Sequence, residues 1–189
     1  MPSLQLEAEP LLGGFQESVG DTELAELTEL AIVSMAIPLD SDAAFASALS
    51  EAYGATMPPP GKSTLSADGQ TRFLWAARDQ LFAVFEDSSP NAAADMAKKL
   101  DGAAYVTLQS DNWLVLRLSG NNAREALERI CPIDLHPSAF LEGQVARTIM
   151  EHMGAIVFRE DASSFLLFSA SSTARSYLHA VETSLRNVA

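Results

Sequence analysis

The sequence predicts an α+β protein built from two ferredoxin-like units with antiparallel sheets and helices on one face, and three observations carry that expectation. Apolar runs of strand length and amphipathic runs of helix length follow one another in a set order. It is strand, helix, two strands, helix, strand over residues 30–110, then strand, helix, three strands, helix over 111–189. Start and stop residues flank the helical runs, and the longest apolar runs are strand-sized and broken by Asp, Arg or Gln, so none approaches a membrane span. The expected organisation is an acidic N-terminal arm, 1–29, followed by one globular domain, 30–189, whose halves (about 30–110 and 111–189) join at the turn near 109–113. The halves share an element order and no residue-level repeat.

In the arm, Leu4, Leu6, Leu11, Leu12 and Phe15 are apolar, but Pro10 and Gly13-Gly14 break any period, which points to burial on another chain. Glu23 to Leu30 reads as a short helix with Leu24, Leu27 and Leu30 on one side. Ala31 to Leu39 is extended, with Ile32, Val33, Met35 and Ile37 suited to a half-buried strand ending at Pro38. A helix follows, capped by Asp40 or Ser41, lined inside by Phe45, Ala48, Leu49 and Ala52, and left through Gly54. Met57-Pro58-Pro59-Pro60-Gly61-Lys62 is a stiff loop, read as a connector before a ligand for a proline-binding domain. Arg72 to Ala77 and Gln80 to Glu86 form a hairpin apolar enough for burial on both faces. A helix from Ser89 to Leu100 starts with a Ser cap and Pro90 and stops before Gly102; Ala103 to Gln109 is again extended.

From Trp113 to Arg159 the chain runs strand, helix, elbow, hairpin. The strand stops at Gly120, Asn122 with Glu125 makes a capping-box-like start, and Ala123, Ala126, Leu127 and Ile130 recur at helical spacing until Pro132. Two prolines keep Cys131 to Phe140 irregular. Val145 to Met150 and Ala155 to Phe158 are two strands folded around Glu151 to Gly154, Phe165 to Ser169 adds another, and Thr173 to Leu185 closes with a helix. Within the elbow, Asp134 is placed to accept the fork of Arg147 as a structural ion pair; alternatively Leu135, Pro137 and Phe140 are apolar anchors presented to another subunit, as are Leu11, Leu12 and Phe15 of the arm.

The net charge of −13 is unevenly spread, with no Lys or Arg before Lys62. Such a balance opposes nucleic acid and anionic membranes as partners. The acidic stretch is either a solvated face or an arm steered to a basic partner surface. The N-terminus lacks the order of a signal peptide, so a cytoplasmic location is expected. The single cysteine, Cys131, allows no internal disulfide and sits on an apolar face, as a buried small side chain does. His136, His152 and His179 have no zinc-type spacing, no Gly-x-Ser-x-Gly elbow is present, and Gly61-Lys62-Ser63 lacks the earlier P-loop glycine, Thr56 standing there.

The run Ile133-Asp134-Leu135-His136-Pro137, then Phe140, Gly143 and Arg147-Thr148, a hairpin, a Phe-rich strand and Arg175-Ser176-Tyr177 in a helix, resembles the gamma subunit of heterotetrameric sarcosine oxidase. The likeness covers about Ala55 to the C-terminus, with weaker echoes at Pro10-Leu11 and Met57-Pro58. That family is itself similar to the folate-binding domain of glycine-cleavage aminomethyltransferases. There, the hairpin carries an acid that handles the folate amine in a Gly-Gly-Ile-x-Asp-Asp pattern; here Gly154-Ala155-Ile156-Val157-Phe158-Arg159 has Phe158 or Arg159 at that place, with Glu160-Asp161 just beyond. The resemblance implies a non-catalytic subunit that binds no cofactor and packs chiefly on the large alpha subunit. FAD, FMN, NAD, tetrahydrofolate and zinc would then reside on the partner subunits. The alternatives are a stand-alone folate-binding protein of the aminomethyltransferase type and a small-molecule sensor built from paired ferredoxin-like units.

Overall fold

The computed structural model describes residues 9–86, 89 and 91–189; Leu4, Leu6 and Pro90, singled out above, lie outside them. Among the described residues two antiparallel sheets lie face to face with helices on their outer sides, in the layer order helix, sheet, sheet, helix. The first sheet is built from β3 (Leu30–Ala36), α1 (Asp42–Tyr53), β4 (Ser63–Leu65), β5 (Arg72–Ala77), β6 (Gln80–Glu86), α2 (Ala92–Lys99) and β7 (Tyr105–Leu108), with strand order β4-β5-β6-β3-β7. Without the short edge strand β4, this is the ferredoxin-like order expected for the first half.

The second sheet contains β8 (Trp113–Gly120), β9 (Val145–Met150), β10 (Met153–Arg159) and β11 (Ser164–Ala170), with α3 (Ala123–Glu128) and α4 (Ala174–Arg186) outside it. Two strands from the N-terminal segment complete it: β1 (Gln16–Val19) and β2 (Thr22–Glu26), in the order β1-β2-β8-β11-β10-β9. The series β10-β11-β8-β2 repeats β5-β6-β3-β7, and β9 stands where β4 stands. The second unit is therefore also ferredoxin-like, with its closing strand drawn from the other end of the sequence.

This corrects two expectations. Residues 16–26 are not an arm outside the globular domain, and Glu23 to Leu30 is not a helix. Leu24 pairs with Leu118 on β8 and is fully buried among residues of the outer core, while Leu27 and Leu30 pack between the sheets. The spacing that looked like one helical face serves two different cores, Leu24 in the second sheet's outer core and Leu27 and Leu30 in the layer between the sheets. The acids before Lys62 are also less idle than a solvated face. The Glu26 carboxylate accepts from the backbone N–H groups of Leu12 at 3.0 Å and Gly14 at 2.8 Å, drawing residues 12–15 back onto β2. Leu12 and Phe15 are half-buried against the same core, so burial on a partner is not needed to account for them; Leu11 stays exposed.

Alternation places each side chain. Leu114, Leu116 and Leu118 of β8 face α3 and α4 with Leu127, Tyr177, Val181 and Leu185, whereas Val115 faces the first sheet. Ala31, Val33 and Met35 of β3 face α1 and α2, and Ile32 faces inward. The layer between the sheets is closed by Leu74, Phe82, Val84, Ile156, Phe158, Leu166 and Phe168, which accounts for the double-sided burial anticipated for 72–86. One contact fixes the N-terminal strands. Gly120 has φ 121°, and a Cβ there would run into the Asp21 carbonyl oxygen and the Thr22 backbone. Next to it the Thr22 hydroxyl accepts from the Asn122 N–H at 3.0 Å. The Asn122 side chain makes no capping hydrogen bond, so the expected capping box is replaced by a contact from a strand a hundred positions away.

Candidate functional site

The elbow that follows α3 is held by local turns and by links to both sheets. The Asp134 carboxylate accepts from the His136 N–H at 3.0 Å, and the His136 carbonyl accepts from the N–H groups of Ala139 at 2.8 Å and Phe140 at 2.9 Å. His136 Nδ1 lies 2.8 Å from the Ser138 hydroxyl. The Gly143 carbonyl accepts from both the N–H and the hydroxyl of Ser63, at 2.9 and 2.8 Å, and the Val145 N–H donates to the Gly61 carbonyl at 3.0 Å. The proline-rich loop is therefore a connector clamped to the start of β9. Gly143 reaches this geometry with φ 78°.

Of the elbow residues proposed as anchors for a partner, Leu135 and Phe140 are buried in this chain's own outer core and Pro137 is exposed, as Leu11 is among those of the N-terminal segment. Leu135 and Phe140 both turn inward, with a turn closed by the His136 carbonyl between them. Asp134 and Arg147 do not pair. Asp134 is taken by its own turn, and Arg147 is exposed on β9 with no ion pair among the described residues. Asp134→Ala should accordingly cost about 1 kcal/mol, the worth of one turn hydrogen bond, in urea unfolding of the isolated chain. A cost above about 3 kcal/mol would restore the ion pair. Thr148 is half-buried on the opposite face of β9 from Arg147.

The place where folate enzymes, by resemblance, carry an acid is occupied by side chains committed to the fold. Phe158 is buried between the sheets, with the Arg72 guanidinium 5.2 Å from its ring centre. Arg159 is only 4 % exposed. It donates from Nη1 to the Phe140 carbonyl at 2.6 Å, from Nη2 to the Ala162 carbonyl at 3.0 Å and from Nε to the Asp161 carbonyl at 3.1 Å, beside the Phe165 ring. Glu160 is paired with Arg117 at 2.9 Å, and Asp161 caps the loop by accepting from the Ser163 N–H at 2.8 Å, which holds its carboxyl below the usual range. Sequence reasoning missed the Arg159 clasp. Its only signal was a lone charge at the end of an otherwise apolar strand.

The three histidines are scattered over the elbow, the hairpin turn (His152, φ 69°) and α4, and no group of three or more His, Cys, Asp or Glu converges on a metal position among the described residues. Cys131 is buried and its thiol is pushed up by that burial. Tyr177, also raised by burial, donates to the Met150 sulfur at 3.3 Å in the same core. Two shallow grooves, one between Glu17–Asp21 and Arg186 and one along α3 and α4 by Arg129 and His179, lie on the outer side of the second sheet and do not include the elbow. What the geometry offers is a rigid, buttressed surface.

Comparison with known proteins adds the following. The family described as sarcosine oxidase, gamma subunit family, matches residues 39–183. The sarcosine oxidase subunit gamma of Corynebacterium sp. (strain P-1) is 31 % identical over 133 residues, 70 % of this chain and 65 % of that protein. That of Arthrobacter sp. is 29 % identical over 119 residues, 62 % of this chain and 58 % of that protein. The chain thus spans under two thirds of the length of these relatives. Among solved structures, a chain of heterotetrameric sarcosine oxidase from Corynebacterium sp. U-96 in complex with pyrrole 2-carboxylate superposes with a TM-score of 0.77 at 22 % identity, over 91 % of this chain and 88 % of that one. Glycine cleavage system aminomethyltransferase T from Bartonella henselae superposes with a TM-score of 0.58 at 15 % identity, over 85 % of this chain and 45 % of that one. These two likenesses bear on the fold, and they agree with the paired antiparallel sheets.

Proposed function

The chain belongs to the sarcosine oxidase gamma subunit family, and from that premise we propose that it is the non-catalytic gamma subunit of a heterotetrameric sarcosine oxidase. In this reading the assembled enzyme demethylates sarcosine oxidatively in the cytoplasm. FAD, FMN, NAD, tetrahydrofolate and zinc sit on the other subunits, and this chain packs chiefly on the large one.

One observation carries the non-catalytic part. Phe158 and Arg159, at the position of the folate-handling acid, are both consumed by packing and by carbonyl hydrogen bonds, and the neighbouring Glu160 is consumed by Arg117. A group tied in this way is a poor proton acceptor for a bound amine. Fold likeness to an aminomethyltransferase by itself supports no shared chemistry.

A tagged copy of the chain, expressed with the remaining subunits, should co-purify with them as a complex that turns over sarcosine. The isolated chain titrated with tetrahydrofolate should give no saturable signal. Saturable binding by the chain alone would favour the stand-alone folate protein, and absence of any complex would overturn the assembly role.

A further inference from the structure

The second sheet ends at β9, and that edge is only partly covered. The Val145 N–H points away from β10 and donates to Gly61, and Lys62 bridges Gln144. By the two-residue period of a strand, the backbone groups of Arg147 and Ile149 point the same way. Beyond the Gly61 contact no backbone hydrogen bond joins this edge to another strand or loop among the described residues. Their side chains share the face that Val145 turns toward the first sheet, but here nothing covers them. Ile149 is 61 % exposed, and Gly154, its cross-strand neighbour on β10, has open space where a Cβ would stand. Arg147 is exposed and has no carboxylate within ion-pair distance among the described residues, in a chain whose net charge is −13.

These features describe one kind of occupant. An open ladder edge is satisfied by another extended backbone. An unpartnered guanidinium is matched by a carboxylate, which it binds through two parallel hydrogen bonds. Ile149 beside the bare Gly154 leaves a shallow apolar seat on the same face. We propose that an extended segment of a partner subunit adds to β9 as a further strand, setting a carboxylate against Arg147 and an apolar side chain over Ile149 and Gly154. The inference rests on the assembly reading and names the surface it uses.

The test uses the complex formed with the remaining sarcosine oxidase subunits. Backbone amides of Arg147 and Ile149 should exchange at least tenfold more slowly in the complex than in the isolated chain. Arg147→Glu and Ile149→Asp, both at exposed positions, should each weaken assembly tenfold or more at an unchanged thermal midpoint, and the Arg147→Glu effect should shrink at high salt. If the complex forms while these amides stay unprotected and both variants assemble like wild type, the edge proposal is overturned and the assembly reading survives. Protection already present in the isolated chain, accompanied by a dimer in sedimentation, would assign the edge to a second copy and overturn the proposal too. A wild-type chain that assembles with nothing overturns both.

Discussion

Deleting residues 1–29 should leave a protein that cannot reach its native monomer, running in the void volume on size exclusion and lacking near-ultraviolet circular dichroism. The cut removes β1 and β2, the latter pairing its five residues with β8 from Thr22↔Gly120 to Glu26↔Leu116, and so trims a six-stranded sheet to four strands with β8 at its edge. It also removes Leu24 from the outer core and uncovers Leu116, Leu118 and the start of α3. Leu24→Ala alone should cost about 2–5 kcal/mol, a large fraction of the roughly 5–15 kcal/mol that holds a domain folded. The deletion adds an unpaired edge on β8 rich in leucine, a template for aggregation. The sequence by itself suggested the reverse, a detachable arm beside a domain that survives its loss. A truncated monomer with the urea midpoint of the full chain would show that reading to be right and the strand pairing to be dispensable.

Much of the fold was legible where a local pattern has one interpretation. The strands from Ala31 to Phe168 announce themselves as apolar runs of strand length, and Gly54 sits where α1 stops, whereas α3 ends at Glu128, short of Pro132. The N-terminal strands were not legible, because Glu23-Leu24-Ala25-Glu26-Leu27 fits a helix as well as a strand. What decides between them is Leu118, nearly a hundred residues away. The same limit applies at the elbow. Two prolines announce irregular backbone, but which side chains turn inward depends on turns closed by the Asp134 carboxylate and the His136 carbonyl. Asp134 finds an N–H two residues ahead at far smaller entropic cost than a guanidinium on another strand, which is why the expected Arg147 pair does not form. Asp134, His136 and Gly143 of that run thus hold backbone in place, whereas Arg147 is exposed on β9 without an ion pair among the described residues.

Arg159→Met should lower stability by about 3 kcal/mol. Two effects compete. Removing a nearly buried guanidinium relieves its desolvation cost, and methionine of similar length fills much of the space. Against this, three carbonyl oxygens lose a charged donor: that of Phe140 in a fully buried bond, and those of Asp161 and Ala162 where water has partial access. An orphaned buried acceptor costs roughly 1–3 kcal/mol, and a hydrogen bond to a charged group contributes roughly 1.5–3 kcal/mol, so the losses outweigh the relief. For a chain of this size, about 3 kcal/mol corresponds to a fall in thermal midpoint on the order of 6–12 °C. Arg159→Lys should recover only part of it, since an ammonium cannot span three acceptors that the planar fork meets together. Because Gly143 donates to the Arg159 carbonyl at 2.8 Å and its own carbonyl holds Ser63, loosening should spread to the start of β9. Faster amide exchange from Phe140 to Val145 in the Met variant, at temperatures where the sheet cores remain protected, is the signature of this mechanism; a variant with the wild-type midpoint would mean that the elbow holds its shape without the clasp.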